Sequence, residues 1–240
     1  MKMKITLLWA LAFLLAACTN PGSNTTENAE APADTAQVEQ TAPSGNLAAP
    51  AGFTKLGEAT GDLDKDGTAD MAVVFDTGVE GEIGTEREIH IFKQNNGNWE
   101  LWHKSAGAVM ASQSGGVMGD PFQEVKIENG SLVITHFGGS RSKWTYTHRF
   151  RFQNGDWQLI GATSHAGAPC EYFEDVDYNL STGKIIYTKE IENCDNEEEV
   201  KSIKETKDFV IKAAKMPSMD GFNPGGNELK LPGLEASLYY

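Results

Sequence analysis

The sequence predicts a mainly β protein, an antiparallel meander or sandwich-like single domain. Long runs of alternating apolar and polar residues and asparagine–glycine pairs between them carry that prediction. In KWTYTHRFRFQ, Trp144, Tyr146, His148, Phe150 and Phe152 fall on one face, and Thr145, Thr147, Arg149 and Arg151 on the other. Successive side chains of a strand point to opposite faces, so this run reads as a long half-buried strand. Asn96–Gly97, Asn129–Gly130 and Asn154–Gly155 stand between such runs. Both residue types accept positive φ, which marks tight hairpin turns, and Gly183 marks a fourth. KQNNGNWELW and RFQNGDWQLI repeat one phrase around two of these turns, as a meander would. Met71–Phe75 is apolar without alternation and is expected to be a central strand covered on both faces. In NEEEVKSIKETKDFVIKAAK the charges suit a helix, but Val200, Ile203, Phe209, Val210 and Ile211 do not keep a 3.6-residue period. Its second half is expected to be a strand.

The chain opens with Lys2 and Lys4, an apolar run from Ile5 to Ala17, and Cys18. The run is too short to span a bilayer as a mature helix, and residues 1–17 read as a secretory signal peptide. Leu15, Ala16, Ala17 and Cys18 resemble the lipobox of bacterial lipoproteins, which implies that Cys18 is diacylated and becomes the mature N-terminus. The competing reading is an ordinary signal peptide with a cysteine at the cleavage site. The lipobox places the protein in the cell envelope, anchored to a membrane. Thr19, in place of an aspartate retention signal, points by analogy to the outer membrane. From Thr19 to about Ala51 the composition is Ala, Pro, Ser, Thr, Asn and Glu, with little to bury. Residues 18–51 are therefore expected to be a lipidated cysteine and a flexible tether, reaching roughly 30 Å. A β-rich domain is expected over 52–216 and an irregular tail, rich in Gly and Pro, over 217–240.

The net charge is −14, and loss of Lys2 and Lys4 with residues 1–17 makes it −16, 18 basic against 34 acidic side chains. Such a surface repels phosphate backbones, so nucleic acid is not an expected partner. An exported protein permits a disulfide, and with Cys18 lipidated, Cys170 and Cys194 remain as an even pair. The alternative is two separate buried thiols.

GDLDKDGTAD, Gly61–Asp70, crowds four carboxylates into one bend. Like charges this close repel, and a divalent cation removes the difficulty. Ca²⁺ takes six to eight oxygens, and alternating side chains with a turn glycine and one backbone carbonyl can wrap it. Asp62, Asp64, Asp66 and Asp70, the carbonyl of Thr68, and Gly67 match that arrangement. The EF-hand form also needs a bidentate glutamate at its last position, which here is Val73. ATGDLDKDGTADMAVV instead resembles the calcium loops of FG-GAP repeats, the blades of integrin-type propellers. That resemblance implies a Ca²⁺ cofactor held by Asp62, Asp64, Asp66, Thr68 and Asp70. A propeller needs at least four such blades, and the chain has one copy, so the loop carries over and a full propeller does not. The alternative is a merely solvated acidic turn.

No metalloprotease helix motif, paired Cys-x-x-Cys, phosphate loop or nucleophile elbow occurs. Ser114 has Ser112 where an elbow needs glycine. His103, His136 and His148 fall on apolar strand faces, which suits interior histidines; His136 and His148 could instead face each other as a metal or acid–base pair. Glu171, Glu174, Asp175 and Asp177 read as wet surface or a second cation site. Arg141 and Lys143 read as a connecting loop or an anion site. Trp99, Trp102, Trp144 and Trp157 read as core or a sugar-stacking platform. The segment SGGVMGDPFQEVKIENGSLVITHFGGSRSKWTYTHRFRFQNGDWQLIG is similar to a family of Gram-negative envelope lipoproteins of unknown function. The expected role is non-enzymatic, a binding or structural module with a protein or glycan partner. An inhibitor or immunity-type lipoprotein acting through Ala106–Pro121, and a hydrolase, are the alternatives.

Overall fold

The computed structural model describes residues 47–194 and 201–240. Residues 1–17, read above as a signal peptide, Cys18, most of the expected tether and the first five residues of the charged segment lie outside them. Among the described residues the protein is all-β and its strands pair antiparallel.

β1 (Thr54–Gly61), β2 (Asp70–Gly81), β3 (Gly84–Asn95) and β4 (Asn98–Ala106) form one sheet in sequence order. β5 (Phe122–Glu128), β6 (Ser131–Gly139), β7 (Lys143–Gln153), β8 (Asp156–Ala168), β9 (Tyr172–Asn179), β10 (Lys184–Asn193) and β11 (Lys201–Val210) form a second, again in sequence order. Each is a meander, and neither closes into a barrel. The asparagine–glycine turns explain why. Asn96, Asn129 and Asn154 have φ of 50°, 53° and 55°, and the glycines after them 82°, 70° and 78°. Positive φ at both central positions matches the right-handed twist of the strands these turns join.

The apolar faces of the two sheets meet in one core. Ala72, Val74, Ile89 and Ile91 come from the smaller sheet, and Leu132, Ile134, Phe150 and Leu159 from the larger. Met71–Phe75 is buried throughout, as expected of a strand covered on both faces. Ala72 and Val74 enter the shared core, while Met71, Val73 and Phe75 pack with Phe92 on the opposite face. Leu47 and Phe53 cover that second cluster, so packing begins upstream of residue 52, where the sequence placed the domain boundary. On β7, His148 and Phe150 are fully buried and Trp144, Tyr146 and Phe152 partly so, while Arg149 and Arg151 turn outward.

The segment 217–240, expected to be an irregular tail, is a working part of the domain. It carries a two-stranded sheet of β12 (Glu228–Lys230) and β13 (Ser237–Tyr239), and it buries Met219, Phe222, Leu231 and Leu238 in the main core. Burying four side chains of this size contributes roughly 1.5–3 kcal/mol each. Glycine and proline signals locate turns but say nothing of the apolar residues between them. Cys170 and Cys194 are disulfide-bonded, with Cα atoms 5.2 Å apart. The bond ties the β8–β9 connection to the chain just after β10.

One contact between the sheets positions the acidic loop. β1 lies beside β5 without a hydrogen-bond ladder, and a Cβ on Gly61 would sit 2.6 Å from Ile127 Cγ2. Only glycine lets the backbone approach so closely at the residue where the loop begins.

Candidate metal centre

The loop between β1 and β2 is held by its own carboxylates. Asp62 accepts from the backbone N–H of Asp66 (3.1 Å) and of Gly67 (2.9 Å), one on each oxygen. Asp64 Oδ1 also accepts from Asp66 N–H at 3.2 Å, and Asp66 Oδ1 from Thr68 N–H at 2.7 Å. Lys65 and Gly67 take φ of 64° and 89°, the bend that lets these N–H groups point inward. Leu63 is 2 % exposed and roots the loop in the main core. Its N–H donates to Asp70 Oδ2 at 2.8 Å, joining the loop's entry to the first residue of β2.

Asp62, Asp64 and Asp70 each bring one carboxylate oxygen within 4.8 Å of the others. These three hard oxygen donors could hold a metal ion. Of the other predicted carboxylates, Asp66 is exposed and its Oδ1 accepts from Thr68 N–H, outside the convergent group.

Sequence reasoning missed Lys93. From β3 its ammonium reaches Asp64 Oδ2, and it lies 4.0 Å from the Trp102 ring centroid. The signal that could have found it was strand register. Met71 pairs with Phe92, so the next residue of β3 arrives beside Asp70. A cation is thus already drawn to the carboxylates, which is the behaviour a metal site requires of its donors.

The charges are tuned accordingly. Burial pushes the Asp70 carboxyl up to about 6, with the neighbouring Asp64 and Asp66 charges adding to the rise against the Leu63 N–H and Lys93. For Asp64 burial also pushes upward, but the Lys93 and backbone hydrogen bonds outweigh it and hold the group below its ordinary value. The hydrogen bond to Asp64 raises Lys93 in turn.

The other predicted clusters resolve into separate pairs. Glu171 meets Arg141, Glu174 meets Lys189 and Tyr187, Asp175 meets His165, and Asp177 accepts from Thr163. Lys143 bonds the carbonyl of Ser140. Trp102 and Trp157 pack edge-to-face, Trp99 covers the second cluster, and Trp144 stacks on Tyr146, so the four indoles do not share one platform. His103 bonds Asp220 at 2.9 Å, while His136 and His148 are fully buried with ring centroids 6.4 Å apart. His136 Nε2 accepts from Met110 N–H at 3.2 Å; its Nδ1 and both nitrogens of His148 have no partner. Desolvation lowers both histidines, to about 4 and about 3, and the His136 charge adds to the effect on His148.

Set beside known proteins, the chain matches no family model and no curated sequence.

Proposed function

We propose that this chain is a lipid-anchored cell-envelope protein, held at the outer membrane through Cys18, whose β domain is a non-enzymatic binding or structural module stiffened by Ca²⁺. The convergence of Asp62, Asp64 and Asp70 at the entry to β2 carries the metal part of this reading. The donor set is all carboxylate, which suits a hard divalent cation, and the loop's spacing is that of FG-GAP calcium loops. When bound, Ca²⁺ supplies charge neutralisation and no reaction chemistry. The chain's own residues do the positioning: Leu63 fixes the loop to the core, and Asp62 and Asp70 close it through backbone N–H groups.

Millimolar Ca²⁺ should raise the melting temperature of the purified chain, and Asp62→Ala or Asp70→Asn should abolish that rise. A melt indifferent to both Ca²⁺ and chelator would remove the metal from the account. For the anchor, metabolic labelling with a palmitate analogue should mark the wild-type chain and not Cys18→Ser. Label retained by the variant would place the lipid elsewhere.

A further inference from the structure

The outer face of the larger sheet holds a cleft of about 370 Å³ whose lining includes an arginine with no carboxylate partner among the described residues. Arg149 and Arg151, two apart on β7, both line it. Its open floor is Gly161 of β8, the partner of Arg149, where a Cβ would meet the Arg149 side chain at 3.5 Å. A register shift between Arg149 and Phe150 accompanies that pair. The walls come from the end of β5 and the turn after it, from β8 and from β9, and they are polar: Glu128, Asn129, Thr163, Asp177 and Asn179.

The chain has four arginines. Arg87 is clamped between Asp76 and Asp120, Arg141 pairs with Glu171, and Arg149 pairs with Glu128 at 3.1 Å. Arg151 alone, among the described residues, has no carboxylate. Its Nε and Nη2 both donate to one neutral acceptor, Ser131 Oγ, each at 3.3 Å. Ser131 thus holds one edge of the guanidinium, and the other, Nη1 with the second N–H of Nη2, is a two-pronged fork that can take two oxygens of a carboxylate in parallel bonds. A protein with 34 acidic side chains against 20 basic ones had many ways to fill it. Ser131 is only 3 % exposed, so the fork is held in place at the base of the cleft.

We infer that this cleft binds a carboxylate-bearing sugar, with the Arg151 fork on the acid group. The sugar hydroxyls donate to Glu128 and Asp177 and bond the side-chain amides of Asn129 and Asn179. Those two acids discriminate against a bare anion, which meets their charge with nothing to donate. The cleft's volume sits at the small end of ligand sites, the scale of one or two sugar rings. The assignment does not depend on the acidic loop or its metal.

Glucuronate titrated into the purified full chain should move the Arg151 Nε–H resonance saturably. Methyl glucoside should leave it in place, and acetate should bind at least about tenfold more weakly, as expected when the hydroxyl contacts are lost. Arg151→Gln and Gly161→Val should each abolish glucuronate binding measured by calorimetry while keeping the wild-type melt; Arg141→Gln, outside the cleft, should bind normally. Undiminished binding by Arg151→Gln, acetate binding as tightly as glucuronate, or no saturable shift in the wild type would each overturn the assignment.

Discussion

The acidic loop and the buried histidine pair crowd like titratable groups together and resolve the conflict in opposite ways. At the edge of the sandwich, Asp62, Asp64 and Asp70 lie within reach of backbone N–H groups and of Lys93. Inside it, His136 and His148 are sealed among Met110, Tyr146 and Phe222, where three ring nitrogens have no partner and the rings must stay neutral. An edge can recruit a counter-ion, whereas a core can only refuse the charge. The two regions should therefore answer acid with opposite signs.

The largest expected effect comes from that opposition. At pH 7 both histidines are neutral whether the chain is folded or not. Below about 6.5 the unfolded chain takes up protons that the core refuses until about 4 for His136 and about 3 for His148. Each ring thus withdraws up to about 1.4 kcal/mol of stability per pH unit in that window. Asp70 acts the other way without metal. Its folded value of about 6 lies above its unfolded one, so folding gains as pH falls from 6 toward 3.8. Two losses against one gain leave a net loss near 1.4 kcal/mol per unit between about pH 6 and 4. Denaturant melts should show His148→Phe nearly flat across this range and Asp70→Asn steeper than wild type. Parallel pH profiles for all three would mean that the histidines are not sealed.

The next effect tests how the loop is seated. Gly61→Ala places a methyl 2.6 Å from Ile127 Cγ2 and 3.0 Å from its Cβ, too near the backbone for a rotamer change to relieve. Overpacking of this kind costs about 1–3 kcal/mol. The Gly61→Ala, Ile127→Ala double variant should recover part of that loss, and failure to do so would mean that β1 and β5 do not press together here.

What the sequence disclosed follows how local each signal is. Asparagine–glycine turns and the spacing of Asp62, Asp64 and Asp70 are written in consecutive residues, and the structure has both. The alternation in β7 separated His148 and Phe150 from Arg149 and Arg151 correctly. Lys93 and the Arg151–Ser131 contact arise from register between strands, which no single stretch records. Met219 and Phe222 were hidden for another reason: a segment with neither period 2 nor 3.6 gives no face to predict, although it fills the core.

The smallest effect sharpens the comparison most, because it asks whether the loop's resident cation can be exchanged. Lys93 is 37 % exposed and Asp64 19 %, and a pair this open to water contributes about 0.2–1 kcal/mol. Lys93→Gln should therefore cost less than about 1 kcal/mol in chelator, with some of the loss coming from its position over Trp102. In Ca²⁺ the same variant should melt above its chelator value by more than wild type does, since Asp64 no longer has to part from an ammonium. A wild-type-sized Ca²⁺ response in Lys93→Gln would place the ion away from Asp64. A smaller response would mean that Lys93 helps to shape the loop for its cation and does not compete with it.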